Sequence, residues 1–226
     1  MKKIFLILFI LVTLSCIFAA EPIAYLMQGR GNVQIIRDEK VVKFKNGELL
    51  YNNDEIKTGG ESFAAIKYVD GGAAIKVFPN SVIRISAVKY NKQLNKNTIL
   101  QSGNVYSKIS TKIKGAYQVE TPTTVASVKG TGFVTKIDED KKTIIIVLEG
   151  EVLVQNKDSG QSKSVQPGST SVSDTDGNVS SGDTQPGEIS EADMKEIESI
   201  NKESEMTIKV QITDDNGNIK YIEITR

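Results

Sequence analysis

The sequence predicts a mainly β protein, an antiparallel β-sandwich or roll followed by a short C-terminal helix and a β-hairpin. Three observations predict it. Short runs rich in Val, Ile, Thr, Tyr and Phe recur between about 33 and 172, separated by Gly, Asn, Asp and Pro turn signals. Some of these runs alternate with period two, as strands with one buried face do. Beyond a stretch rich in Ser, Gly, Asp and Thr, the pattern changes to one helical stripe and then to clean alternation. The segmentation that follows is a signal peptide over 1–20 (or a lipoprotein signal over 1–15), a β body over 21–172, a linker over 173–187 and a tail over 188–226.

The first segment opens with Lys2 and Lys3, and an apolar run follows from Ile4 to Val12 and on to Ala19 and Ala20. A positive start and about 15 apolar residues read as a secretory signal, since a spanning helix needs about 20. Export is therefore expected, to the periplasm or to the envelope by a lipid. Thr13-Leu14-Ser15-Cys16 approximates a lipobox, which makes Cys16 a candidate lipidation site. Cleavage after Ala19 or Ala20 would instead discard Cys16, and an uncleaved anchor is the third possibility.

In the body, Phe63–Val69 and Ala73–Phe78 flank Asp70-Gly71-Gly72, a hairpin signal. Ala64, Ile66 and Tyr68 fall on one face, as do Ile75 and Val77. Lys67 and Lys76 fall on the opposite faces, as a half-buried sheet requires. Pro79-Asn80-Ser81 turns the chain into Val82–Ser86. Further strands are expected at 105–109, 117–119, 125–128, 133–137, 143–148 and 152–154. Ile144–Leu148 is apolar without alternation and should be buried on both faces. Gly-x-Val recurs at Gly31, Gly103 and Gly150 at unequal intervals, which reads as strand starts after glycine turns rather than as a fixed-period repeat.

The tail has its own signals. Ser190 with Asp193 resembles a capping box, and Ile189 with Met194 is spaced as a hydrophobic staple. Met194, Ile197 and Ile200 then form a thin apolar stripe. Met206, Ile208, Val210 and Ile212 alternate, and Asp215-Asn216-Gly217-Asn218 leads into Ile219–Ile224, which reads as a hairpin. A helix and hairpin of this size bury little alone and should dock on the body or on a partner.

Composition narrows the function classes. Lys plus Arg and Asp plus Glu are 28 each; loss of Lys2 and Lys3 with the signal leaves 26 against 28. Such a chain has no net field for polyanions, so no nucleic-acid partner is expected. There is no histidine, the usual acid–base residue and metal ligand, and the single cysteine lies in the apolar run. No catalytic residue, cofactor or metal is expected.

Three motifs invite chemistry and read better as turns. Lys129-Gly130-Thr131-Gly132 has strands on both sides, whereas a phosphate loop leads into a helix. Asp174-Thr175-Asp176-Gly177-Asn178 and Asp214–Asn218 lack the closing glutamate of a calcium loop and use ordinary turn formers. Asp138, Glu139 and Asp140 sit together in a polar hairpin tip, whereas glycosidase carboxylates face each other across a cleft.

Read in order, several segments resemble the FecR domain of bacterial envelope proteins. Gly31-Asn-Val33 precedes Asn53-Asp54-Glu-Ile-Lys-Thr58-Gly59, similar to the family's "GD-x-I-x-T" with Asn for its glycine. Ser62–Ile66, Asp70-Gly71 and Pro79-Asn80-Ser81 resemble "S-x-A-x-I…DG…P-N-T/S". Gly103-Asn-Val105 and Thr121-Pro122 come next. Val128-Lys-Gly130-Thr131-Gly-Phe133-Val134 resembles "V-R-G-T-x-F-x-V", and Val147-Leu-Glu149-Gly150-Glu-Val152 resembles "V-x-E-G-x-V". The resemblance runs over about 31–172 and implies an all-β, non-catalytic domain whose motif residues are structural. The named family members regulate iron uptake, with a cytoplasmic segment acting on a sigma factor and a periplasmic part sensing a receptor. Only Met1-Lys2-Lys3 precedes the apolar run, so the anti-sigma activity is not expected to carry over. The expected function is an extracytoplasmic protein-interaction module with an envelope protein as partner and envelope signalling as its setting, touching the membrane only through its signal or a lipid on Cys16. The alternative is a structural or polysaccharide-binding envelope protein.

Overall fold

The computed structural model describes residues 20–204, 208–213 and 219–224, with side chains described as far as Lys202. Residues 1–19, Cys16 among them, and the Asp214–Asn218 turn lie outside the described residues. The opening strands are β1 (Ala24–Arg30), β2 (Val33–Arg37), β3 (Lys40–Val42), β4 (Leu49–Leu50) and β5 (Glu55–Thr58). The middle of the body holds β6 (Phe63–Tyr68), β7 (Ala73–Val77), β8 (Val82–Tyr90), β9 (Gln93–Ser102) and β10 (Asn104–Ile109). Then follow β11 (Tyr117–Glu120), β12 (Thr124–Val128), β13 (Gly132–Ile137), β14 (Thr143–Glu149) and β15 (Val152–Asn156). The body closes with β16 (Ser162–Val165), β17 (Ser169–Ser173) and β18 (Val179–Asp183). Beyond it lie helix α1 (Glu191–Ser204), β19 (Ile208–Thr213) and β20 (Ile219–Ile224).

Two nine-stranded sheets face each other. The first has the order β18-β17-β14-β13-β10-β7-β6-β1-β4 and the second β16-β15-β12-β11-β9-β8-β5-β2-β3. From β6 onward the chain lays a hairpin or single strand on one sheet, crosses, and extends the other. The result is a sandwich built like a solenoid, each piece added at the growing end. All pairings within the two sheets are antiparallel except β9 with β11, which run parallel because β10 intervenes on the opposite sheet.

The inner faces form one continuous core, with Ile35, Ile56, Ile66, Ile75, Ile83, Ile85, Leu100 and Ile145 fully buried. Each such side chain contributes about 1.5–3 kcal/mol of transfer free energy. Inside this core Tyr117 Oη is within hydrogen-bond reach of Thr98 Oγ1 at 3.1 Å and Ser107 Oγ at 3.0 Å, and the Tyr68 ring meets it edge-on.

The first sheet is covered on its outer face as well, which corrects the half-buried reading of β6 and β7. Ala65, Ala74, Phe78, Tyr106, Val134 and Ile146 form a second core with Ile197 and Ile200 of α1. Lys67 and Lys76 are consequently buried rather than solvated. Ile144–Leu148 is two-faced as expected: Ile145 and Val147 point inward, Ile146 outward. Residues 173–187, read as a linker, contain β18 in register with β17 from Ser169↔Asp183 to Ser173↔Val179. Ser and Gly are poor strand formers, and here the ladder to β17 supplies what propensity does not. The tail hairpin is paired from Ile208↔Ile224 to Thr213↔Ile219.

Candidate functional site

The turn motifs come together at the places where the chain changes sheet or direction. Asp54, 1 % exposed, accepts both Arg37 Nε (2.9 Å) and Arg37 Nη2 (2.7 Å), and also the Tyr51 amide (2.8 Å). The Arg37 guanidinium lies over the Tyr51 ring at 4.4 Å, so one carboxylate ties β2 to the turn before β5. Its hydrogen bond to Asp54 raises the Arg37 pKa above the ordinary value.

Thr58 works on the next turn. Its hydroxyl donates to the Phe78 carbonyl (2.5 Å) and accepts from the Ser81 amide (3.0 Å), bracketing Pro79 and Asn80, the latter at φ +55°. Ser81 Oγ accepts the Asn104 amide (2.8 Å) just after Gly103. Gly103 itself holds φ +83°, and a Cβ there would lie 2.6 Å from Ser81 Cα. Gly31 repeats the arrangement against Ser62, whose Oγ accepts the Asn32 amide at 2.8 Å. At Gly150 a Cβ would meet the Gly130 carbonyl at 2.5 Å and Thr131 Cγ2 at 2.6 Å. The three Gly-x-Val segments are thus one device, a glycine laid flat on another turn so that the following valine enters the core.

The remaining motif residues are placed as follows. Asp70 Oδ1 accepts the Gly72 amide (3.0 Å), Oδ2 pairs with the buried Lys96 (2.6 Å), and Gly71 forms the open tip. Thr121 Oγ1 accepts the Thr124 amide (3.0 Å) around Pro122 and lies 2.6 Å from Thr143 Oγ1. Phe133 is fully buried in the core, and Glu149 pairs with Lys108. Gly130 is a strand-to-strand bend. Asp138 accepts the Lys142 amide (2.8 Å) at a hairpin tip, with Glu139 and Asp140 exposed beside it. Asp174 accepts the amides of Asp176 and Asn178 and the Asn178 side chain, and the last of these holds its carboxyl below the usual range.

Two features escaped the sequence reading. The first is the seat of α1. Lys76, 1 % exposed, reaches Glu196 at 2.5 Å and stands 3.9 Å from the centre of the Phe63 ring. Tyr106 Oη donates to Asn201 Oδ1 (3.0 Å). Burial pushes the Tyr106 phenol up to about 12. A lysine on the supposed solvent face of a strand carried no signal of this pairing 120 residues away. The second is a cleft of about 740 Å³ between the start of the described chain, the β6–β7 tip, the β8–β9 ribbon and the loop after β10. Its lysines are scattered in sequence, and only the fold gathers them.

Comparison with known proteins follows the motif residues. The sequence model of the FecR protein family matches residues 54–153, from Asp54 to just past Gly150. No curated protein matches the chain. Among solved structures, two crystal structures of a candidate anti-sigma factor from Parabacteroides distasonis ATCC 8503 are similar at 14 % identity. One has a TM-score of 0.48 and covers 72 % of this chain and 70 % of its own. The other has a TM-score of 0.49 and covers 76 % and 84 % respectively.

Proposed function

We infer from the FecR domain carried by residues 54–153 that this chain is a regulatory, non-catalytic protein that acts by contact with another protein of the cell envelope. The observation that carries the reading is the use made of the motif residues within the match. Asp54, Thr58, Asp70, Gly103, Thr121 and Gly150 are engaged in turns and ion pairs of the scaffold itself. The motif therefore specifies a rigid platform, and contact specificity belongs to what the platform displays. The apolar start of the sequence supports an extracytoplasmic location, with envelope signalling as the setting.

Crosslinking in intact cells with an epitope-tagged full chain, followed by identification of the captured species, tests this. One envelope protein recovered in stoichiometric amount is the expected result. Recovery of only cell-wall material or of the chain itself overturns it in favour of a structural role. Fractionation of the same cells checks the location.

A further inference from the structure

The cleft holds charges that the scaffold does not neutralise. Exposed Lys89, Lys92, Lys112 and Lys114 line it, together with buried Ile23, half-buried Leu94 and Ile113, and the exposed Val69. Its two acids are already engaged: Glu21 pairs with Lys89 (3.4 Å) and Asp70 with Lys96 (2.6 Å). Among the described residues Lys92, Lys112 and Lys114 have no ion pair. A chain whose formal charge sums to zero thus concentrates three uncompensated ammonium groups around one concavity. Concavity and low-dielectric walls focus such a field. The volume falls within the usual range for ligand sites, and apolar walls with a cationic rim suit a phosphate attached to a greasy body.

Position decides what brings that phosphate. Ala20 and Glu21 line the cleft, and the apolar run of the sequence ends at Ala20. From Cys16 to Ala20 is four residues, at most about 14 Å of extended chain. A membrane holding the run, as a span or through a lipid on Cys16, therefore lies within reach of the cleft. We propose that this cleft is a headgroup site that seats the chain on an anionic phospholipid surface. The proposal rests on the export reading above but not on the identity of any protein partner. Lys89 and Lys92 come from the β8–β9 ribbon, where Asn91 and Lys92 hold positive φ in a tight turn, and Lys112 and Lys114 come from the facing loop.

The test is flotation of the protein, purified as cells process it, with vesicles of one part phosphatidylglycerol to three parts phosphatidylcholine, against pure phosphatidylcholine. Near an anionic surface each lysine is worth roughly fivefold in binding, so K92Q/K112Q/K114Q should bind about a hundredfold more weakly. K40Q/K43Q/K163Q makes the same charge change at exposed lysines outside the cleft and should stay within about threefold of the parent. Equal losses in the two triple variants would reduce the effect to overall charge and overturn the site. Equal binding to neutral vesicles would overturn it too. Free glycerol phosphate binding as tightly as the vesicles would make the cleft a soluble-ligand site and overturn the membrane assignment. Vesicle binding without a crosslinked protein leaves this proposal standing and sinks the preceding one; a captured partner without vesicle binding does the reverse.

Discussion

At the scale of single residues, two glycines that both hold a positive φ should respond very differently to alanine. Gly71 holds φ +69° at an open hairpin tip with nothing within 4 Å of an added Cβ. Gly71→Ala should therefore lose only the left-handed penalty, about 1–2 kcal/mol. Gly103→Ala adds overlap with backbone and side chain of Ser81 and displaces the Asn104 amide from Ser81 Oγ, so about 3–4 kcal/mol is expected in urea denaturation. Equal losses would show that the stacked corner carries no stability of its own. The buried phenols make a second residue-scale prediction. Burial pushes Tyr106 and Tyr117 up to about 12, whereas an unfolded tyrosine ionises near 10. A raised folded pKa means that the stabilising neutral form is fully effective below pH 10 and is lost as pH rises from about 10 to about 12. The denaturation midpoint should be flat to pH 9.5 and fall steeply above it. Tyr106→Phe should lower stability by about 1 kcal/mol at pH 8 through the lost bond to Asn201, yet flatten the alkaline slope.

At the scale of elements, α1 divides what the sequence made legible from what it hid. Its start was readable: the Asp193 amide is capped by Ser190 Oγ (3.0 Å), and Ile189 and Met194 pack together with the second core. Its destination was not. Lys67 and Lys76 mark the outer face of β6 and β7 as polar, and the apolar residues they share it with, Phe63, Ala65 and Ala74, are too few and too small to outweigh that signal. Strand β9 was missed because Gln93-Leu94-Asn95-Lys96-Asn97 has little β propensity; its pairing with β8, from Tyr90↔Gln93 to Val82↔Ser102, overrides that. The cleft lysines stayed invisible because no local spacing relates 89 and 92 to 112 and 114. The docking itself is testable by substituting each partner of the ion pair. Glu196→Ala leaves the Lys76 ammonium buried with Ser199 at 3.4 Å and the Phe63 ring, and should cost about 2 kcal/mol, below the usual range for a broken buried pair because Glu196 is 29 % exposed. Lys76→Met keeps the apolar stem near Phe63 and leaves Glu196 to water and to Arg30 at 3.6 Å, so less than about 1 kcal/mol should be lost. A larger loss for Lys76→Met would refute the idea that the pair fixes the helix rather than driving its docking.

At the scale of the whole molecule, the alternating addition of hairpins to two sheets makes stability a matter of position along the stack. A central strand such as β10 has ladder partners on both sides, β7 and β13, and is covered on both faces, by the inner core and by α1. The terminal strands β16 and β18 have one partner each, and their side chains are mostly exposed. The opposite end is finished by β3 and by β4, the latter two residues long. In a quasi-one-dimensional fold each layer is held chiefly by its neighbours, so opening should begin at the ends and reach the centre last. Native-state hydrogen exchange should therefore give the greatest protection at β6, β7, β10 and β13, with α1 exchanging earlier than the sheet beneath it. Protection should fall stepwise through β14 and β17 to β18, and through β12 and β15 to β16. Glu196→Ala should accelerate exchange in α1 without changing the terminal strands, because it touches only the outer layer. If all strands exchanged with one common free energy, the sandwich would be a single cooperative unit and the layered description would fail. If the stepwise order holds, the β16–β18 end is free to stiffen or loosen without disturbing the layers at the centre of the stack.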